Sequence, residues 1–453
     1  MLNRLFVYLI LMNYCFFVVF VKKNELFLFL LKKINKNIMN KSIYLLFGFL
    51  VVFFSSKAQS NLSVEIPKKT IPVMKTSKES SLLGLWVDDE TGHKVEKLVQ
   101  REGTNSSFYF HNNPFVKSAD GKSWLMLFYG STKNGIQLFS IDLASKKIIQ
   151  ITDKSGSKGG EILGRKTRKV FYRMKDSIFS THIDTHKTEF VFKFPEGVPG
   201  SVATLNADET LLGGVLSSNE EREIFRNNPQ KSDYFNKIYE AKLKRTLITV
   251  DVATGKLTQL YSENAWLNHE QFSPVDSNLF MYCHEGPWHK VDRIWNIDIR
   301  NPKPTLIHKR TVEREIAGHE FFSPDGKTIW FDLQIPRSET FYLAGKNLET
   351  GIETRYALKR NEWSIHYNIA PDMKSFAGDG GDAGQVAHAK DGMWLYHFVP
   401  KGDSLVSEKL VNMKNHDYHL EPNVHFSPDG KYIIFRANFE GTTQIYAVEI
   451  HKN

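Results

Sequence analysis

The chain has 453 residues, enough for two or three average domains or one long repeat array. Its 41% hydrophobic and 24% charged residues exclude wholesale disorder, and 13% aromatics with 29 Gly lean towards β structure. The formal charge of +9 is mostly confined to residues 1–58, which carry +7; the remaining +2 excludes the basic folded domain of a nucleic-acid binder.

Three apolar runs open the chain, Leu5–Val21, Leu26–Leu31 and Ile43–Phe54. The third has the layout of a secretory signal. Met39-Asn40-Lys41 is a short positive segment, Ile43–Phe54 the apolar stretch, and Ser56-Lys57-Ala58 offers small residues for cleavage. Translation is therefore expected to start at Met39, with residues 1–38 upstream of it and 39–58 removed on export. The competing reading, a membrane anchor at Leu5–Val21, is slightly short of a full span. Cleavage would leave a periplasmic or secreted protein with one cysteine, Cys283, no internal disulfide and no stable membrane association. Residues 59–80 read as a loose leader.

From about residue 81 the chain repeats. Phe-Ser-Pro recurs at 272, 322 and 426, twice continued as Asp-Gly, with degenerate copies at Phe115, Leu205 and Ile369 and a very weak one at Ile162. Each copy precedes a short apolar strand, a turn and a second strand. Asp-x-x-Thr-Gly, as in Asp251–Gly255, often leads into a last strand. The anchors at 272, 322, 369 and 426 lie 50, 47 and 57 residues apart, and about 45 residues with four antiparallel strands make one propeller blade. The expectation is an all-β, seven-bladed β-propeller spanning residues 81–453. Residues 217–245 are polar, lack strand alternation, and read as a partly helical insertion in the third blade. The last blade lacks its outer strand, and His93–Gln100, after Asp89-Glu90-Thr91-Gly92, would supply it and close the ring.

Alignment on the anchors places His269, His319 and His366 three residues before Phe272, Phe322 and Ile369; Asn423 and Asn112 hold that position elsewhere. Equivalent positions ring the channel at one depth. Three of the 16 histidines in one register therefore point to a shared site rather than to isolated structural or surface residues, with hydrogen-bonded filling of the channel as the competing reading. Gly378–His388 is a Gly-rich stretch that could turn Gln385 and His388 towards the same centre, although alone it reads as a flexible loop. His284–Arg293 holds His284, His289, Lys290 and Arg293 around a Gly-Pro turn, and Arg337 and Arg436 follow strands of later blades. Singly each cation is a solvated surface charge; together they could bind carboxylates. There is no P-loop and no Gly-x-Ser-x-Gly.

Leu267–Pro274, Met281–Trp295, Gly318–Gly326 and Gly384–His388 resemble the oligogalacturonate lyases, polysaccharide lyase family 22. The resemblance covers most of the chain and is best after about residue 245. It implies a seven-bladed propeller that holds manganese through three His and one Gln and cleaves short pectin fragments by β-elimination. It makes His319, Gln385 and His388 metal ligands and His269 the base. The third metal His is missing, because Lys390 stands where it is expected, and His366 is the substitute. The partner is then an acidic oligosaccharide, and His284, His289, Lys290, Arg293, Arg337 and Arg436 would bind it. The rival reading is a non-enzymatic, TolB-like periplasmic propeller; a closer one is a lyase for another uronate-containing glycan.

Overall fold

The computed structural model describes residues 71–78 and 81–452, together with the backbone of three strands before them. Those strands, Phe6–Met12, Cys15–Lys22 and Glu25–Lys33, pair antiparallel in chain order within a unit of their own, residues 1–69. The expected signal and cleavage segment, residues 39–58, lies outside the described residues, as does most of the leader.

Residues 70–453 form the second unit, built almost wholly of antiparallel β-sheet. Four-stranded groups follow one another along the chain: residues 159–193, 200–263, 267–306, 316–358 and 367–412. A group ahead of them runs from Asn105–Ser106 to Ile148–Gln150. The groups 316–358 and 367–412 touch through a single parallel bridge, Ala357 to Ser404. The last sheet is composite. His425–Phe426, Tyr432–Ala437 and Gln444–Glu449 are continued by Lys94–Lys97 and Leu85–Asp88 from the start of the unit.

Alternation explains the stacking. Each strand turns one apolar face to the preceding sheet and the other to the following one. Val170 and Tyr172 of the second sheet pack on Leu127 and Leu138 of the first; Met281 and Ile294 of the fourth pack on Ala317 and Phe331 of the fifth. The last sheet closes on the first, with Ile434, Ile445 and Ala447 against Met126, Phe128 and Ile141. Trp86, fully buried on the added N-terminal strand, meets Tyr446 of the last sheet edge-on at 6.0 Å and donates its Nε1–H to Thr76 Oγ1 at 2.8 Å.

Between Leu211–Leu216 and Arg245–Asp251 the chain leaves its sheet as two helices, α1 (Asn219–Asn227) and α2 (Lys231–Ala241). Ser218 caps α1, its Oγ accepting from Glu221 N at 3.1 Å. The pair is tied down by a buried fork: Arg245 Nε and Nη2 donate to Glu221 at 2.7 and 2.5 Å, and Nη1 donates to Leu267 O at 2.6 Å.

A histidine cluster at the centre

Two of the three in-register histidines sit at the same irregularity. The first strand of the fourth sheet slips register between Asn268 and Gln271, and that of the fifth between Gly318 and Phe321. His269 and His319 occupy these bulges with φ of 54° and 48°, a left-handed conformation costly for a side chain with a Cβ. The bulge turns each ring out of the strand's alternation and towards the centre. Asn423 has the same sign of φ, 53°. His366 arrives differently, in the turn just before Tyr367–Ile369, without the bulge.

The rings converge. His319 and His366 have centroids 4.9 Å apart, edge to face. Tyr109 stands 5.9 Å from His269 and 5.2 Å from His366, and Phe110 stacks on His366 at 4.6 Å. His111 lies 6.3 Å from His269. The segment that carries these three residues threads between the sheets: Phe110 N donates to Asn423 Oδ1 at 2.9 Å, and Asn368 Nδ2 donates to Phe110 O at 3.1 Å.

Each imidazole has a carboxylate neighbour. His319 Nδ1 meets Asp332 Oδ1 at 2.9 Å, and His366 Nδ1 meets Asp379 Oδ2 at 2.8 Å. An ionised carboxylate accepts from Nδ1–H, so Nε2 keeps its lone pair wherever the ring is neutral, as that of His366 is. Gly318 makes the first contact possible, since a Cβ there would lie 2.9 Å from Asp332 Oδ1. Burial holds His366 well below 6.5, so its ring is neutral. Burial lowers His319 too, but the Asp332 hydrogen bond and charge outweigh it and raise the ring. Burial pushes Asp379 up to about 7, against the pull of N–H donors from His366 and Asn423. His366 Nε2 is buried without a hydrogen-bond partner; Glu421 Oε2 is 3.7 Å away.

His269 is held by charge rather than by a close hydrogen bond. Its Nε2 lies 3.9 Å from Glu285 Oε2 and its Nδ1 3.7 Å from Glu320 Oε1. Burial lowers its pKa below 6.5, more than the two carboxylates raise it, which leaves the ring unprotonated at neutral pH. Both carboxylates are clamped by Arg293, 1% exposed, whose Nε donates to Glu320 at 2.9 Å and Nη1 to Glu285 at 3.0 Å. Trp288 Nε1 adds a bond to Glu285 at 2.8 Å. Burial would push Glu285 up, but Arg293 leads the groups that bring it down to about 2.

The centre thus combines an unprotonated imidazole in a charged cage with two further imidazoles, each held at Nδ1 by a carboxylate, groups whose chemistry suits proton transfer and cation binding. The sequence pattern of the family described as oligogalacturonate lyase matches residues 74–453. The chain belongs to that family. It is 24% identical over 388 residues to the oligogalacturonate lyase of Dickeya dadantii (strain 3937), covering 81% of this chain and 95% of that one. The oligogalacturonide lyase of Pectobacterium atrosepticum is similar to the same degree, 24% over 389 residues, again with 81% and 95% coverage. Among solved structures, an oligogalacturonate lyase in complex with manganese superimposes with a TM-score of 0.70 at 24% identity, covering 81% of this chain and 96% of that one. One from Vibrio parahaemolyticus also gives 0.70, at 23% identity and the same coverage. At these identities the structural likeness speaks for the fold.

The expected site residues do not all meet. His269, His319 and His366 do. Gln385 and His388 lie on a loop anchored to the neighbouring sheet, where Ser338 Oγ donates to Val386 O and Arg360 Nη1 to Ala387 O, both at 2.6 Å. His388 is exposed, and its Nδ1 faces Ala383 O at 3.2 Å. Among the described residues no hydrogen bond, ion pair or ring contact joins Gln385 or His388 to His319 or His366. Arg293, expected as an exposed cation, is instead buried, because two carboxylates compensate it. Arg436 is half-buried, donating to Glu421 O at 2.7 Å and Ser106 Oγ at 3.0 Å. His284 stacks on Trp295 at 5.1 Å and meets Glu263 at 3.1 Å. His289 is lowered by burial and then by Arg337, Lys290, Arg310 and Arg314, which marks a cationic rim. Lys290 and Arg337 are exposed on it.

Sequence reasoning missed Tyr109, Phe110 and His111, and the carboxylates Glu285, Glu320, Asp332, Asp379 and Glu421. One signal was available: Tyr109-Phe110-His111 precedes Asn112, already in the histidine register.

Proposed function

We propose that this chain is a lyase that cleaves short galacturonate chains by β-elimination, with His269 as the base. The observation that carries this reading is the convergence of one unprotonated, charge-caged imidazole with two others, their rings 4.9 Å apart and each held at Nδ1 by a carboxylate. We read the sheets of residues 81–453 as seven blades of a propeller, the last completed by the N-terminal strands and the third carrying α1 and α2 at residues 217–245. We also propose export through the segment at 39–58 and action in the periplasm or outside the cell.

The donor set fits a divalent cation such as the manganese of the related structure. His319 and His366 each present Nε2 while a buried carboxylate holds Nδ1, the usual arrangement behind a metal-bound imidazole. Among the described residues no three His, Cys, Asp or Glu side chains are preset as a complete group. Glu421 is the nearest carboxylate and suits manganese, which takes mixed nitrogen and oxygen ligands. Gln385 and His388, which the resemblance puts in the set, would have to be drawn in from their anchored loop.

The bound cation would neutralise the substrate carboxylate and so acidify the adjacent C5–H. His269 takes that proton. The electron pair forms the C4–C5 double bond as the bond from C4 to the glycosidic oxygen breaks. Glu285 and Glu320 then stabilise the imidazolium, and Arg293 keeps both carboxylates ionised so that they can. Burial holds Tyr109 well above its usual 10, so it stays protonated beside His269 and His366 and is placed to supply a proton to the leaving oxygen. Lys290 and Arg337 on the rim attract flanking carboxylates.

The test is ultraviolet absorbance of the 4,5-unsaturated product from a panel of uronate oligosaccharides, with manganese added to the purified chain. No absorbance rise on any galacturonate oligomer would refute the reading.

A further inference from the structure

A second concave surface adjoins the histidine cluster. It is a cavity of about 340 Å³ between α2 and the Gly-Pro turn, walled by Tyr239, Lys242, Trp266, His284, Lys290 and Trp295. Glu285 forms part of its lining and is also the carboxylate 3.9 Å from His269. Glu285 therefore belongs both to the cavity lining and to the surroundings of the base.

The wall is fixed. The Glu221–Arg245 fork holds the helices to the sheet, and Trp266 is packed among Phe225, Tyr234 and Phe235, with ring centroids 6.5, 6.4 and 5.3 Å away. Tyr239 lies flat against Gly286, where a Cβ would come within 2.5 Å of its ring and where φ is +140°. Only glycine satisfies both conditions. The helices and the catalytic turn thus form one surface.

Its chemistry suits an acidic sugar. Trp266 and Trp295 are part-exposed and offer aromatic surface for the C–H faces of a pyranose ring, while Tyr239 backs Lys242. The three acidic members already have partners, Glu263 with His284 at 3.1 Å, Glu285 with Arg293 at 3.0 Å and Asp292 with Arg310 at 3.3 Å. Lys242 and Lys290 have no carboxylate partner among the described residues, and Lys242 Nζ is held over the Tyr239 ring at 3.7 Å. The result is two lysines without an ion-pair partner beside aromatic walls.

We propose that this cavity is a subsite for a further uronate residue of the substrate, with Lys242 and Lys290 binding its carboxylate. This rests on the galacturonate-lyase reading and adds to it a requirement for chain length. A disaccharide fills the cleavage position alone; a trisaccharide also reaches the cavity.

The experiment compares Lys242→Ala and Lys290→Ala with the unmodified chain and with Lys303→Ala, an exposed control on another edge. Cleavage is measured as the ratio of kcat/KM for trigalacturonate to that for digalacturonate. Affinity for trigalacturonate is measured by calorimetry in a His269→Ala background, where turnover does not interfere. Both lysine variants should lower the ratio and weaken trisaccharide binding by about tenfold, the scale of one lost charge-assisted bond, while Lys303→Ala changes neither. Unchanged ratio and affinity in both lysine variants would overturn the subsite. If the unmodified chain cleaves nothing yet trigalacturonate binding still depends on Lys242 and Lys290, the subsite stands and the lyase reading fails.

Discussion

Replacing Arg293 by Met tests the charge cage around His269 more directly than any change to the imidazole itself. Arg293 is almost wholly buried and is the cation in contact with Glu285 and Glu320, at 3.0 and 2.9 Å. Removing one partner of a buried ion pair costs about 3–5 kcal/mol, because the other charge is left in a low-dielectric site. The titration of Glu285 leads to a similar figure: a fall from 4.5 to about 2 corresponds to about 3 kcal/mol. Its folded-state pKa is depressed, so this stabilisation is complete above about 4.5 and is lost as the pH falls through about 2. In Arg293→Met the burial of Glu285 acts without its counter-charge, so its pKa should move above 4.5 and acid should relieve the strain. Urea unfolding of both proteins should therefore show a gap of about 3–5 kcal/mol at pH 7 that narrows as the pH falls, first through the raised Glu285 pKa of the variant and then from 4.5 towards 2. Adding Glu285→Gln and Glu320→Gln should recover much of the loss, because no unpaired charge then remains. A gap under about 1 kcal/mol at pH 7, or one as large at pH 3 as at pH 7, would refute the account.

Three other outcomes follow from the same geometry. His269→Ala should lower turnover by about 10² or more while leaving manganese content nearly unchanged, as elemental analysis of the dialysed protein would show. The unmodified enzyme should keep its activity to a pH below 6.5, because burial lowers the His269 pKa; a pH profile with its acid limb at or above 6.5 would contradict this. Asp379→Asn removes the carboxylate that orients His366 and should weaken the cation about 10–100-fold in a chelator-competition titration. Deleting residues 81–100 removes Trp86 and the two strands that complete the last sheet, and should cost at least about 3–5 kcal/mol; calorimetry of the truncated chain would detect an unchanged midpoint.

What was legible in the sequence is what local chemistry writes. Asp325 turns Phe-Ser-Pro-Asp-Gly by accepting from Ser323 Oγ at 2.6 Å and Lys327 N at 3.1 Å, with Gly326 at φ +68°. Asp251 does the same for Asp-x-x-Thr-Gly, accepting from Thr254 N and Oγ1 at 2.8 Å. These bonds span two or three residues, so each turn is complete within its own motif, and the spacing of such turns marks the strands between them. The histidine register was legible for the same reason. His269 and His319 precede equivalent turns by equal distances, and their shared bulge follows from that equivalence.

The tertiary structure alone decided what surrounds those rings. Phe110 meets Asn368 and Asn423, residues 258 and 313 positions away, because the sheets stack until the last packs on the first. Arg293 became a buried clamp rather than a surface cation because two sheets place Glu285 and Glu320 on either side of it. Gln385 and His388 sit apart from the imidazoles because Ser338 and Arg360, on other turns, hold their loop. A residue's type and spacing specify the strand face or turn it occupies. Its charge state and partners depend on which distant segments the packing of successive sheets brings against it, and no short stretch of sequence carries that information.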